Sequence, residues 1–227
     1  MALWTWWPGD ALPALAPSDD FNVQCATDLL ELGPLTGLER GELEARLGAD
    51  NRCYVAFVGA AAAAYGWVAT AEAAIGELDV AFRLAGPDRY LWDFRTLPEW
   101  RGRGLYPRLL QSIFQHEGPT EARFWIINAP ENLASARGID KAGFRVVGDL
   151  AFAPDGRAGL VPIADPDRAW VGAALLGVPL IRVPAGGGVS PCWCCMMAAL
   201  REGGQAACWP GDALGGTPCG CSTRQIG

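Results

Sequence analysis

The stretch Thr96-Leu97-Pro98-Glu99-Trp100-Arg101-Gly102-Arg103-Gly104-Leu105-Tyr106-Pro107 decides how this chain is read. A strand-like run, Arg89–Thr96, ends in it. An amphipathic helix from about Leu105 to Glu117 begins in it, with Leu105, Leu109, Leu110, Ile113 and Phe114 on one stripe. Pro107 suits the first turn, where no intrahelical N–H bond is lost. The first N–H groups of a helix have no partner within it, and its dipole favours negative charge there. Gly102 and Gly104 let backbone approach a ligand without a Cβ in the way. Four arginines (95, 101, 103 and 108) stand against the single acid Glu99, a local excess of +3 in a chain of net charge −7. Two readings stay open: a corner that binds a polyanionic small molecule, or a solvated loop whose arginines pair with surface carboxylates. A P-loop would need Gly-Lys-Ser/Thr, and the only lysine is Lys141. The dinucleotide fingerprint would need a third small residue where Pro107 stands.

Outward from this corner, strand-like and helix-like patterns alternate over about residues 20–165. Upstream, a helix is expected over Leu38–Leu47 and strands over Cys53–Val58, Tyr65–Thr70, Ile75–Phe82 and Arg89–Thr96. The first two strands form a hairpin through Gly59 and an alanine run. Downstream, Arg123–Asn128 reads as a buried strand. Asn128 is then expected to cap a second helix, with Pro130 in the first turn and Glu131 completing a capping box. Strands beginning at Phe144, Leu150 and Ala158 follow. The division is an extension over 1–19, a domain over 20–165, an apolar connector over 166–184 and a Gly/Cys-rich tail over 185–227 that holds six of the eight cysteines.

Composition narrows the function. With 18 basic and 25 acidic residues, the balance is opposite to that of proteins that neutralise nucleic-acid phosphates, so no nucleic-acid partner is expected. The single histidine, His116, leaves little room for histidine metal sites or Ser-His chemistry. It sits near a helix end where a structural role is expected. Cys53–Ala71 is uncharged over 19 residues, but Gly59 and Gly66 interrupt it and its flanks are strand-like, so no membrane partner is expected. No secretory leader is legible before Asp20, which makes the cytoplasm the expected compartment.

The corner resembles the acyl-CoA loop of the GCN5-related N-acetyltransferase (GNAT) superfamily, Arg/Gln-x-x-Gly-x-Gly/Ala after a strand ending Val-x-Pro. Thr96-Leu97-Pro98 and Arg101-Gly102-Arg103-Gly104-Leu105-Tyr106 fall on it in order, with Tyr106 departing at the last small position. Asn132-Leu133-Ala134-Ser135 and Lys141-Ala142-Gly143-Phe144 are similar to the family's downstream helix and strand, at the expected distance. The resemblance implies an α/β (α+β) fold: a mixed, mostly antiparallel twisted sheet flanked by helices, followed here by the Cys-rich tail. It implies acetyl-CoA or another acyl-CoA as donor substrate and a primary amine, on a small molecule or a protein, as acceptor. No metal is implied, and acceptor identity and oligomeric state are left open.

By that resemblance, backbone groups near Phe94 and Thr96 would pair with the pantetheine arm. The N–H groups of Arg101, Gly102, Arg103, Gly104, Leu105 and Tyr106 would take the pyrophosphate, and Asn132 and Ser135 would lie near the pantetheine and sulfur. Many relatives carry a Tyr, as acid for the leaving thiolate, where this chain has Ile139. Tyr90 stands where some carry a Glu base. Asp93, Glu77 and Asp79 are the nearby carboxylates, and Asp93 inside the central strand is favoured as base. The competing reading is a catalytically silent acyl-CoA-binding regulator whose cysteine tail senses metal or redox state. A third is a zinc-dependent interaction module built on Cys192, Cys194, Cys195, Cys219 and Cys221. A Gly-rich appendage with no defined role is the plain alternative for that tail.

Overall fold

The computed structural model describes residues 1–181 except 17, 19, 119 and 153–155. The 185–227 tail, with its zinc and thiol readings, lies outside the described residues. The chain divides into two compact units. The larger comprises Trp4–Ile127 and Arg137–Arg145, and the smaller Met1–Leu3, Asn128–Ala136 and the described residues from Val146 to Ile181. These units cut across the boundaries expected from sequence.

In the larger unit the strands are β1 (Ala2–Trp6, begun in the smaller unit), β2 (Phe21–Ala26), β3 (Asn51–Val58), β4 (Ala61–Ala69), β7 (Asp88–Thr96) and β8 (Arg123–Asn128). Their order across the sheet is β1-β8-β7-β4-β3-β2. The pairs β2–β3, β3–β4 and β4–β7 are antiparallel and β7–β8 is parallel, so the sheet is mixed and mostly antiparallel as expected. The strand alternation sorts the core into two faces. On one face, helix α3 (Leu105–Glu117) buries Leu109, Leu110, Ile113 and Phe114 against Tyr54, Ala56, Ala64, Val68, Leu91 and Phe124. On the other, α1 (Leu29–Thr36) and α2 (Arg40–Gly48) seat Leu32 and Leu43 on Cys53, Val55, Tyr65 and Trp67. Each such side chain contributes about 1.5–3 kcal/mol by leaving water. Burial drives the Cys53 thiol up to about 12, which leaves it an inert core group.

Four expectations are corrected. Ala2–Trp6, assigned to an extension, forms β1 beside β8, where the buried Thr5 hydroxyl donates to the Phe124 carbonyl at 2.9 Å. Ile75–Phe82 is a hairpin: β5 (Glu72–Ile75) and β6 (Val80–Arg83) pair across a tight turn that places Asp79 at φ +52°. The alanine run belongs to β4, because Gly59 at φ +59° already turns the chain. Helix α4 (Leu133–Lys141) starts four residues later than expected. Asn132, whose side chain accepts from the Ser135 N–H at 3.0 Å, caps it in place of Asn128. The described part of the smaller unit also holds the antiparallel pair β9 (Arg145–Phe152) and β10 (Ala158–Pro162), and α5 (Pro166–Leu176), capped by Asp165.

Candidate active site

Strand β7 carries the site. Its residues Asp88–Leu91 pair with Arg123–Ile126 of β8, and pairing then stops while β7 runs on through Trp92–Thr96. Over those last residues β7 keeps only β4 as a backbone partner among the described residues. The opposite edge is open, apart from the Thr96 carbonyl, which accepts from Arg101 Nε at 3.2 Å. A sheet edge with unmet N–H and C=O groups invites an extended ligand bearing amides.

A bulge sits in the middle of that stretch. Tyr65 pairs with Arg95 and Trp67 with Trp92, so Gly66 alone faces both Asp93 and Phe94. Asp93 takes φ +48°, a region that non-glycine residues rarely occupy. Arg46 of α2 secures it, with Nη1 2.5 Å from the Asp93 carboxylate and Nη2 2.8 Å from Glu42. The same guanidinium lies over the rings of Trp92, at 4.6 Å, and Trp67, at 5.3 Å. Burial works against the Arg46 charge, but the hydrogen bonds to Asp93 and Glu42 outweigh it and hold its pKa above the usual value. Gly66 is required for a second reason: the Phe94 ring lies 2.1 Å from where its Cβ would be.

Beyond Pro98–Trp100, the corner turns through Gly102 at φ +76° and Gly104 at φ +70° into α3. No side chain caps this helix. The N–H groups of Gly102, Arg103, Gly104 and Leu105 have no partner among the described residues. Arg103 lies 4.7 Å over the Trp100 ring. None of Arg95, Arg101, Arg103 and Arg108 forms an ion pair among the described residues; Arg101 donates to the Thr96 carbonyl and Arg108 to the Ala16 carbonyl. Leu105 is buried under the turn. Tyr106, the departure from the small-residue pattern, turns inward: its ring meets Phe94 at 5.4 Å and rests on Gly138 of α4, 2.4 Å from where a Cβ would stand. A small residue elsewhere thus makes room for the large one here.

The remaining expected residues fall in separate surroundings. Tyr90 is buried edge-on against Phe82, with ring centroids 5.2 Å apart, and lines a cleft under the β5–β6 hairpin. Burial pushes its hydroxyl well above the usual phenol range, so at neutral pH it stays protonated. Asp93 instead faces Arg46. Asn132 and Ser135 form the first turn of α4 in the smaller unit. Ile139 is fully buried in the core. Arg46, Gly66 and Gly138 were not singled out from sequence. A glycine inside a strand signals close approach of another group, and Gly66 carried that signal.

No protein-family model and no curated protein sequence matches the chain. Among solved structures, it is similar to a GCN5-related N-acetyltransferase from Kribbella flavida, at 15% identity and TM-score 0.45, covering 64% of this chain and 53% of that one. It is also similar to the ribosomal-protein-S18-alanine N-acetyltransferase of Escherichia coli, at 13% identity and TM-score 0.45, covering 61% and 88%. A third is a Bacillus subtilis acetyltransferase solved in complex with CoA, at 12% identity and TM-score 0.44, covering 58% and 80%. The chain spans between half and six tenths of the first two structures it matches. At these identities and scores, the chemistry has to be argued from the residues themselves.

Proposed function

We propose that this chain is an acyl-CoA-dependent N-acyltransferase of the GNAT class, using acetyl-CoA and a primary amine. The observation that carries the reading is the parting of β7 from β8 after Leu91, directly upstream of an uncapped helix start flanked by arginines that meet no carboxylate among the described residues. The open edge of β7 near Phe94 and Thr96 suits the amide-bearing pantetheine arm. The amides of Gly102–Leu105, with the Arg101 and Arg103 charges, suit the pyrophosphate; the Arg101 N–H itself donates to the Pro98 carbonyl. The amine nitrogen attacks the thioester carbonyl carbon, and the C–S bond breaks with its electron pair on sulfur. CoA leaves as thiolate, and the surplus amine proton passes to solvent or a base. A backbone N–H at the Asp93–Phe94 bulge would stabilise the developing oxyanion, and holding both reactants on one strand supplies the positioning.

Asp93 would have to leave Arg46 to act as base. No side chain at position 139 can protonate the thiolate, although a thiol pKa of about 8.5 makes thiolate a workable leaving group unaided. That apolar position favours the regulator reading, so turnover is the deciding measurement. Release of CoA thiol from acetyl-CoA across a panel of amines supports the enzyme. Tight CoA binding with no release across the panel leaves only the regulator.

A further inference from the structure

The hairpin β5–β6, absent from the expected strand list, encloses with β7 a cleft of about 570 Å³, within the ~300–1,000 Å³ span of small-molecule pockets. Its walls carry the rings of Phe82, Tyr90 and Trp92, and the hairpin contributes Ala73, Ala74 and Ala81. Those alanines leave the space beside the rings unfilled, where one larger side chain would close it.

Two donors at the cleft lack acceptors among the described residues. The Trp92 Nε1–H is buried and unmet. Tyr90 is 6% exposed, and its hydroxyl, not itself fully buried, makes no hydrogen bond among the described residues. A buried donor such as the Trp92 Nε1–H is costly unless something completes it. Glu72 and Arg83, exposed cross-strand neighbours, give the cleft edge one charge of each sign. The cleft adjoins the bulge through the chain itself, since Trp92 precedes Asp93.

We infer that this cleft holds the body of the acceptor, and that the acceptor is a small amine carrying a planar aromatic ring with a hydrogen-bonding oxygen on its far edge. The ring packs against Phe82, Tyr90 and Trp92, and the oxygen accepts from Tyr90 or Trp92. The amine half rests on the acyl-transfer reading; the aromatic half rests on the cleft alone.

Calorimetry with tyramine, 2-phenylethylamine and 2-cyclohexylethylamine tests it, with CoA titrated separately into the same protein. The expected order is tyramine, then 2-phenylethylamine, then the saturated amine, with at least tenfold between first and last. Ala81→Trp, on the exposed hairpin, should weaken tyramine at least tenfold with CoA affinity unchanged. Tyr90→Phe should remove the preference for tyramine over 2-phenylethylamine. Equal affinities for the three amines, no binding of any, or tyramine binding indifferent to Ala81→Trp overturns the inference. Tyramine binding that Ala81→Trp abolishes, in a protein that does not bind CoA, upholds the aromatic site and overturns its role as acceptor pocket.

Discussion

The two ends of helix α3 are opposites. At its C-terminus the fully buried carboxylate of Glu117 is saturated: Tyr54 donates at 2.6 Å, Arg52 at 2.7 Å and Arg89 at 2.9 Å. Burial raises the carboxyl pKa, but those three donors outweigh it and hold the group below its usual range. At the N-terminus the reverse holds, with bare amides, an uncapped first turn and guanidinium groups that meet no carboxylate among the described residues. The buried charge is fully partnered because an unpaired one would cost several kcal/mol. The exposed end tolerates unmet donors because water serves them until a ligand arrives. Charge near a helix end is therefore informative only together with its partners.

Four variants break or sharpen that contrast. Glu117→Gln strands Arg52 and Arg89 and should lower stability by about 3 kcal/mol in chemical unfolding, with CoA affinity unchanged. The same group sets an acid limb. Its pKa is depressed in the fold, so its contribution is complete above the unfolded value of about 4.5 and is lost as pH falls through the folded one. Stability of the native chain should fall more steeply than that of Glu117→Gln below about pH 4.5.

The converse change is Arg101→Glu with Arg103→Glu, which should weaken CoA about a hundredfold by calorimetry at unchanged melting temperature. An unaltered affinity would remove the phosphate role from this corner. Gly66→Ala drives a methyl into the Phe94 ring and should cost about 1–3 kcal/mol, with loss of CoA affinity as the bulge shifts. Arg46→Ala frees Asp93. Because that carboxylate is partly exposed and screened, about 1 kcal/mol is expected. On the proposed function, kcat should drop more than KM rises, since the bulge would act on the transition state.

The corner was legible because its signals are local. Two glycines, a proline and an amphipathic stripe fix a turn and a helix start whatever lies around them. The strand-like runs gave only a mixed α/β domain; the mostly antiparallel character of the sheet came from the family resemblance. The clamp on the bulge was not legible, because Arg46 and Asp93 are 47 positions apart and Arg46 with Glu42 reads as an ordinary solvated pair at helix spacing. Asn128 and Asn132 both offer capping chemistry, and which one caps depends on where the helix begins. The β5–β6 turn was hidden because Asp79 adopts a glycine-like conformation without being glycine. Strand β1 escaped because five residues followed by Pro8 and Gly9 carry no periodicity long enough to weigh.

That strand also sets a timetable for synthesis. Thr5 meets Phe124 across 119 residues of chain, so an early segment must wait until the ribosome has delivered a much later one. Until then the Trp4-Thr5-Trp6-Trp7 run has no neighbour to cover it and is exposed to chaperones or to other nascent chains. Contacts of such long range slow folding, and the Thr5–Phe124 bond cannot form before Phe124 has been made.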